Sequence, residues 1–259
     1  MNTLLIRLEG PLQSWGLRAR WEERDTAFEP TKSGVIGLLG CALGLQRSDE
    51  RLHTISQQIQ MGVRVERQGQ LLVDYHTTGG GFPGGDTLTS GTRYNDDPYV
   101  GGVLSSEPPK QGRYQVKITS TTKTPETDVS KRFYLMDACF LVALCGPEPL
   151  IDELATALQH PVWPLFLGRK ACVPTAPVFV GVGAYATAQD ALEDQPLPER
   201  YDNGGLRLVL ETTIGRGTLR NDAIGVPARR LFWPRAVSER YWQPPMADAN
   251  NVPIINTME

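Results

Sequence analysis

Cysteine and histidine are scarce in this chain. Its 259 residues include four cysteines and three histidines, and no two cysteines form a Cys-x-x-Cys pair. Each cysteine lies among apolar residues, which predicts buried, reduced thiols. Metal-ligand spacing is absent, and the glycine-rich stretch at 79–85 lacks the Lys-Ser or Lys-Thr of an ATPase phosphate loop. The sequence therefore predicts neither a metal site nor a cofactor.

Long hydrophobic runs and an overall positive charge are also missing. The longest apolar stretch, residues 34–45, is far shorter than the roughly 20 residues that cross a bilayer. The N-terminus lacks the basic and apolar regions of a secretory signal, so we expect a cytoplasmic protein with no membrane partner. The net charge of −3 argues against a protein that binds nucleic acid through a basic surface overall.

Arginine, in contrast, is concentrated in one segment. Residues 200–240 contain eight arginines, four acidic residues and no lysine. Planar guanidinium groups suit bidentate contact with phosphate or carboxylate. Two interpretations stay open here: a surface that binds an anionic partner, or a solvated surface with intramolecular ion pairs.

The first half of the chain predicts a strand, two helices and a hairpin. Apolar residues alternate over 3–9, which is typical of a strand with one buried face. Pro30 precedes a helical stretch that Thr31 or Ser33 can cap, and a second amphipathic stretch follows at 49–60. Two alternating runs over 61–77 flank Gln68-Gly69 and predict a hairpin.

The second half completes the pattern. A long strand is predicted over 132–146, an amphipathic helix over 147–160, and two strands over 162–182 around a Gly-Arg-Lys turn. The resulting order βαββαβ predicts an α+β, ferredoxin-like fold of the RNA-recognition-motif type. Such sheets commonly present one open face to RNA.

Two further segments interrupt or follow this core. Residues 77–131 are rich in Gly, Ser, Thr and Pro and are too long for an ordinary loop, which predicts a projecting arm. We therefore assign residues 1–76 and 132–185 to the core and 77–131 to an insertion. Residues 186–259 form a smaller, Arg-rich C-terminal region.

Two turns carry residues suited to binding anions. Thr31-Lys32-Ser33-Gly34 opens a helix, where free amides and the helix dipole attract phosphate. Gly168-Arg169-Lys170 places two cations after a glycine. Near the start of the chain, Gln13, Ser14 and Trp15 follow a strand and a Gly-Pro break, which places polar and aromatic side chains on a turn.

One pair of residues could support catalysis. Tyr75 and His76 lie in "DYHT", where the predicted hairpin passes into the arm. A Tyr-His pair can serve as general acid and base in metal-free RNA cleavage. The simpler interpretation is a hydrogen-bonded histidine at the end of a strand.

Five blocks of sequence, in this order, resemble the CasD subunits of type I-E CRISPR Cascade complexes, in the RAMP superfamily. The blocks are "LIRLEGPLQSWG", "PTKSGVIGLLGCALGLQR", "DYHT", "YLMDACFLVAL" and "PLFLGRKACVPTAPVF". The resemblance covers residues 3–76 and 133–181. The remainder of the chain matches only in placement and character.

The resemblance implies a non-catalytic subunit of a CRISPR surveillance complex in antiviral defence. Such a subunit binds the 5′ handle of the CRISPR RNA, caps the filament of the backbone subunit CasC and contacts the large PAM-reading subunit CasA, so that it meets target DNA only indirectly. The arm at 77–131 takes the place of a thumb that kinks the first spacer nucleotides.

The resemblance also implies roles for individual residues. We expect Lys32, Ser33, Arg169 and Lys170 to contact phosphates, and Gln13, Ser14 and Trp15 to contact the first handle nucleotides. Tyr75 and His76 would lie at the root of the thumb, near the handle.

Two other functions remain as alternatives. The first is a metal-independent endoribonuclease that uses His76 and Tyr75 to process precursor CRISPR RNA. In the type I-C branch, which performs this cleavage, the catalytic tyrosine acts with adjacent lysine and histidine, and no Lys-His dipeptide occurs here. The second is a protein-interaction adaptor, which would assemble without RNA.

Overall fold

A computed structural model of the chain describes residues 2–17, 23–79, 103–104, 116–117, 127–197 and 205–244. Its internal contacts divide the chain into two units. The first comprises Met1–Ala19, Asp25–Leu72 and Phe133–Glu259, and the second comprises Arg20–Arg24 and Val73–Arg132.

The described residues contain both helices and strands, in the following order along the chain. They are β1 (Asn2–Glu9), β2 (Leu12–Gln13), β3 (Glu23–Arg24), α1 (Lys32–Leu43), α2 (Arg51–Gln58), β4 (Gln60–Arg67), β5 (Gln70–Gly79), β6 (Val103–Leu104), β7 (Val116–Lys117), β8 (Thr127–Met136), β9 (Cys139–Gly146), α3 (Glu148–Gln159), β10 (Phe179–Ala184), α4 (Ala188–Glu193), β11 (Leu206–Thr212), β12 (Thr218–Val226), a 3₁₀ turn (Pro227–Arg229) and β13 (Leu231–Trp242).

A seven-stranded antiparallel sheet organises the first unit. Its strand order is β10-β1-β9-β4-β11-β13-β12. Every residue of β9 is buried, because this strand lies inside the sheet and both of its faces are covered. The chain therefore has the mixed α/β character expected from its sequence, with one large antiparallel sheet.

Helices cover both faces of this sheet. Leu4, Ile6 and Leu8 of β1 belong to one buried cluster, together with apolar residues of α1, α2 and α3. Leu5 points to the opposite face, where it is buried in a second cluster that includes Ala188 and Leu192 of α4. The alternation of β1 thus serves two cores, because successive side chains of a strand project to opposite faces.

Two expected strand arrangements differ from the structure. The single strand predicted over 132–146 is two strands, because the chain turns at Asp137, where φ is +56°. The hairpin predicted over 61–77 forms its two strands, but they have different partners: β4 pairs with β9 and β11, and β5 pairs with β8.

The segment between α3 and β10 is less regular than predicted. Only Phe179–Ala184 of the expected two strands over 162–182 forms a strand. Pro164, Pro174 and Pro177 interrupt this segment. Proline has no N–H to donate, so it disfavours a continuous ladder.

The C-terminal region continues the large sheet. The sequence set residues 186–259 apart, whereas β11, β12 and β13 extend the sheet beyond β4, and β11 pairs with both β4 and β13. This pairing covers an edge of β4 that would otherwise expose unpaired backbone groups. Within the described residues, no helix is long and apolar enough to span a membrane.

The described part of the second unit consists of paired strands, among them β5 with β8. Glu23–Arg24 of β3 run parallel to Lys131–Arg132 of β8, and β6 pairs with β7. Most of the predicted arm at 77–131 lies outside the described residues, so its thumb role stays a prediction.

Candidate nucleic-acid interface

The Gln13 side chain joins three segments of the first unit. It is fully buried, and its Nε2 donates to the carbonyl oxygens of Leu8 (2.9 Å) and Ala138 (2.8 Å). Its Oε1 accepts a hydrogen bond from Nε1 of Trp15 at 3.0 Å. Because both ends of the amide are bonded within the chain, Gln13 fixes the turn after β1.

The Trp15 ring lies inside the protein. Only 1% of the residue is exposed, and the ring packs against Gly34 at the start of α1, where an added Cβ would come within 2.8 Å of Trp15 Cε3. Its backbone bonds to Thr26 Oγ1 and to the Ala27 N–H. In this conformation Trp15 supports the turn, and no face of its ring is open to a base.

Ser14 connects this turn to the Gly-Arg-Lys turn. Its N–H donates to the carbonyl oxygen of Leu167 at 3.1 Å, and its buried Oγ donates to that of Phe133 at 3.1 Å. Gly168 has φ +93° and lies directly against the Ser14 carbonyl. The two sequence motifs therefore meet, with one docked on the other.

The Gly-Arg-Lys turn is closed by its own backbone. The Leu167 N–H donates to the Cys172 carbonyl at 2.7 Å, and the Cys172 N–H donates to the Arg169 carbonyl at 2.8 Å. The guanidinium carbon of Arg169 lies 4.7 Å from the centroid of the Tyr134 ring, a cation–π contact. Lys170 is exposed beside it. The turn thus holds a half-buried Arg169, whose Nη2 donates to the Asp25 carbonyl oxygen at 3.5 Å, and an exposed Lys170 on a fixed backbone.

Backbone amides at the start of α1 are bonded to other groups of the same chain. Thr31 caps the helix, as its sequence position predicts, by accepting from the Gly34 N–H. The N–H of Lys32 donates to Asp222 Oδ2 at 2.9 Å, so a carboxylate already occupies this helix terminus. Ser33 is half-buried on the first turn.

The Lys32 side chain points to β11. Its Nζ donates to Glu211 Oε1 (2.8 Å) and Oε2 (3.0 Å) and to the Ile59 carbonyl (2.7 Å). Burial lowers the pKa of Lys32, and the Glu211 carboxylate opposes this shift. A phosphate contact by Lys32 would require these bonds to break. The sequence does not predict that Glu211 and Asp222 bond to Lys32, because they are 179 and 190 residues away.

Among the seven arginines of the Arg-rich segment that the structure describes, three form ion pairs. Arg235 forms a buried pair with Asp222, with N–O distances of 2.6 and 2.9 Å. Arg207 and Arg220 each pair with both Glu29 and Glu239. The intramolecular interpretation therefore holds for these three, whereas Arg216, Arg229, Arg230 and Arg240 are exposed.

Tyr75 and His76 belong to the second unit. Tyr75 is 66% exposed, and Lys131 Nζ lies 6.0 Å from its ring centroid. His76 Nδ1 lies 3.7 Å from Asp74 Oδ2. Tyr75 and His76 are consecutive residues of strand β5, so their side chains project to opposite faces.

The structure therefore brings together most of the predicted site in the first unit. Gln13, Ser14 and Trp15 form one turn, the turn at 168–170 docks on it, and Trp15 contacts the start of α1. Sequence reasoning did not single out Tyr134, which opens the block "YLMDACFLVAL" and supports Arg169. Among the described residues, no three His, Cys, Asp or Glu side chains cluster in a way that could hold a metal ion.

Comparison with known proteins identifies the family. A family model described as "CRISPR-associated protein (Cas_Cas5)" matches residues 3–249. The curated protein "CRISPR system Cascade subunit CasD" of Escherichia coli (strain K12) is 32% identical over 243 residues, which are 92% of this chain and 93% of that protein.

Two solved structures agree with this match. One described as "CRISPR RNA-guided surveillance complex" is 31% identical, with a TM-score of 0.67, and the match covers 94% of this chain and 91% of the other. One described as "Crystal structure of Cas protein" is 34% identical, with a TM-score of 0.62, and covers 93% and 95%. The chain belongs to the Cas5 family of CRISPR-associated proteins.

Proposed function

We propose that this protein is a structural subunit of a CRISPR RNA-guided surveillance complex and binds the 5′ handle of the CRISPR RNA. In this role it caps the filament of the backbone subunit CasC and contacts the large subunit CasA. The 32% identity to a Cascade subunit over nearly the whole chain supports membership of such a complex. The match to a chain of a surveillance complex agrees with this.

The docked turn at 168–170 carries the RNA-binding part of the proposal. A cation contributes most to phosphate binding when its backbone is already fixed, because less entropy is then lost on binding. The bonds of Ser14 to Leu167 and the ring of Tyr134 under Arg169 provide such a framework. We therefore assign phosphate contact to Arg169 and Lys170, together with Ser33.

The remaining residues of the site support this framework. Gln13, Trp15 and Lys32 are buried and bond to other parts of the chain, so they contribute by holding the turn and the start of α1 in place. The strand order β10-β1-β9-β4 supports a ferredoxin-like core around them. In the same role, the thumb at 77–131 reaches the first spacer nucleotides.

A non-catalytic role fits the position of Tyr75 and His76. A general acid and a general base must both reach the reacting atoms, whereas adjacent strand residues face opposite ways. Purified protein incubated with labelled repeat RNA in EDTA should leave the RNA intact. Site-specific cleavage that His76→Ala abolishes would identify an endoribonuclease instead.

The handle-binding role is tested by removing both cations of the turn. Arg169→Ala with Lys170→Ala should weaken binding of the handle RNA. The slope of log K against log salt concentration should become shallower by about 1.4, because two phosphate contacts to a single strand are lost. The matched control is Arg47→Ala with Arg51→Ala, two exposed arginines away from the turn. Equal affinity of the two double variants would overturn the assignment, and assembly of the complex without RNA would favour an adaptor.

A further inference from the structure

The end of the β12–β13 hairpin carries exposed cations and exposed aromatic residues. Pro227–Arg229 form the 3₁₀ turn between the strands, and Arg230 follows with φ +53°. Arg229 and Arg230 are exposed, and no carboxylate among the described residues pairs with either. Phe232 and Trp233, at the start of β13, are 46% and 45% exposed.

The charge of this hairpin differs from that of the whole chain. The protein has a net charge of −3, but residues 213–235 contain five arginines, no lysine and one acid. Arg220 and Arg235 form ion pairs, which leaves Arg216, Arg229 and Arg230 as the exposed cations of this segment. That acid, Asp222, is buried against Arg235 and cannot neutralise the hairpin end. A local positive surface on an acidic protein indicates a polyanionic partner.

The Trp233 ring is held in place from below. Its indole packs on Gly225 of β12, where an added Cβ would lie 2.5 Å from Trp233 Cδ1 and Nε1. The edge of the ring system meets His53, with centroids 4.8 Å apart and planes at 81°. His53 is itself fixed by a 2.9 Å bond between Nδ1 and the Ile224 carbonyl.

This support makes Trp233 a fixed platform that still has nearly half its surface open. An aromatic ring with one open surface can stack on a nucleobase, and arginines nearby can hold the backbone of the same strand. Trp233 lies in β13 three residues after Arg230, so their α-carbons are at most about 11 Å apart along the chain. The spacing allows one short stretch of nucleotides to meet both groups.

We propose that the end of the β12–β13 hairpin, defined by Arg229, Arg230 and Trp233, is a second binding site for single-stranded nucleic acid. It is separate from the turn at 168–170 and does not rest on the handle-binding role of that turn. The strand is either RNA or single-stranded DNA, since stacking and guanidinium contacts are shared by both. Trp233 supplies the stacking, and the two arginines supply the phosphate contacts.

The test uses the full-length protein carrying Arg169→Ala and Lys170→Ala, so that the first surface does not contribute. Fluorescence anisotropy measures its affinity for labelled oligouridylate RNA and oligothymidylate DNA of about 12 nucleotides, within the site size of single-strand binders. Trp233→Ala should weaken binding about ten-fold or more with an unchanged salt dependence. Arg229→Gln with Arg230→Gln should make the slope of log K against log salt concentration shallower by about 1.4.

Two control variants lie on the same hairpin and strand. Arg216→Gln removes an exposed arginine from the other end of β12, and Tyr241→Ala removes an aromatic residue that is 75% exposed at the far end of β13. Both should bind like the parent. The arginine variants preserve all packing contacts of Trp233, so their result stands even if Trp233→Ala lowers stability.

The outcomes separate this proposal from its alternatives. Loss of RNA or DNA binding on hairpin substitution, with the controls unaffected, supports the site. The nucleic acid whose binding is lost identifies the ligand. Unchanged binding of both the RNA and the DNA overturns the proposal. If the same variants bind nucleic acid normally but fail to join the other subunits, the hairpin end is a protein interface and the proposal is wrong.

Discussion

The α-carbon of Gly168 lies so close to the carbonyl oxygen of Ser14 that a Cβ at position 168 would overlap it. The two residues are 154 positions apart in sequence, yet this contact sets where Arg169 and Lys170 stand. With φ +93°, the backbone at 168 also adopts a conformation that L residues with side chains avoid.

Substitution of Gly168 by alanine should therefore displace the turn. We expect a loss of roughly 1–3 kcal/mol in unfolding free energy from the strained backbone. Handle-RNA affinity should fall as it does when Arg169 and Lys170 are replaced. Gly37→Ala is the control, because a Cβ there meets no atom within 4 Å. Denaturant unfolding and RNA titration of both variants decide the matter, and full RNA affinity in Gly168→Ala would refute the positioning role.

The Gln13 amide predicts a graded series of stability losses. Gln13→Leu leaves the carbonyls of Leu8 and Ala138 and the Trp15 N–H without their partner. Each buried unsatisfied group costs about 1–3 kcal/mol, so this variant should lose more stability than Trp15→Phe, which breaks one of these three bonds and also removes part of the buried ring. Urea unfolding compares the two. A Gln13→Leu protein that is as stable as the parent but binds RNA poorly would show instead that Gln13 contacts RNA directly.

Local features of the fold follow from the sequence. The strand over 3–9, the Thr31 cap and the helix near 147–160 are confirmed as β1, the start of α1 and α3. Each depends on the spacing of neighbouring residues. The break at Asp137 and the different partners of β4 and β5 could not be predicted, because pairing partners are chosen by contacts between distant parts of the chain.

The candidate site, too, could be predicted from the sequence only in part. The turns at 13–15 and 168–170 stand out by composition, and the structure brings them together. Sequence does not reveal that the Gln13 amide and the Trp15 ring face inward, because a polar or aromatic side chain after a strand has the same appearance in either case. Likewise, no spacing rule connects Lys32 to Asp222 or Trp233 to His53, which depend on how the C-terminal strands extend the sheet.

The buried Asp222–Arg235 pair should be essential for stability. Asp222→Asn leaves the Arg235 guanidinium buried without a counter-charge and weakens the acceptor for the Lys32 N–H. Breaking a buried pair from one side costs about 3–5 kcal/mol. Glu153→Gln, which breaks the exposed pair with Arg51, should cost at most about 1 kcal/mol. Equal unfolding free energies for the two variants would contradict this role of Asp222.

The buried thiols predict a decline in stability at alkaline pH. Burial, with the nearby Glu66 carboxylate, strongly raises the pKa of Cys139, and burial also raises the pKa of Cys145 and Cys172. In the unfolded chain a thiol loses its proton near pH 8.5, whereas in the folded protein these thiols keep theirs. The folded state then binds more protons, so stability is fully present below about pH 8.5 and falls as pH rises towards the folded pKa. Each thiol contributes up to about 1.4 kcal/mol per pH unit in that window.

Cys139→Ala isolates one of these contributions. Lys32 acts in the opposite direction, since its lowered pKa makes the folded state gain stability as pH rises towards about 10.4, so only the difference between parent and variant is informative. Urea unfolding between about pH 8.5 and 10 should show a slope in the variant that is flatter by up to about 1.4 kcal/mol per pH unit. Parallel slopes would mean that Cys139 ionises in the folded protein as readily as in the unfolded chain, contrary to its burial against Glu66.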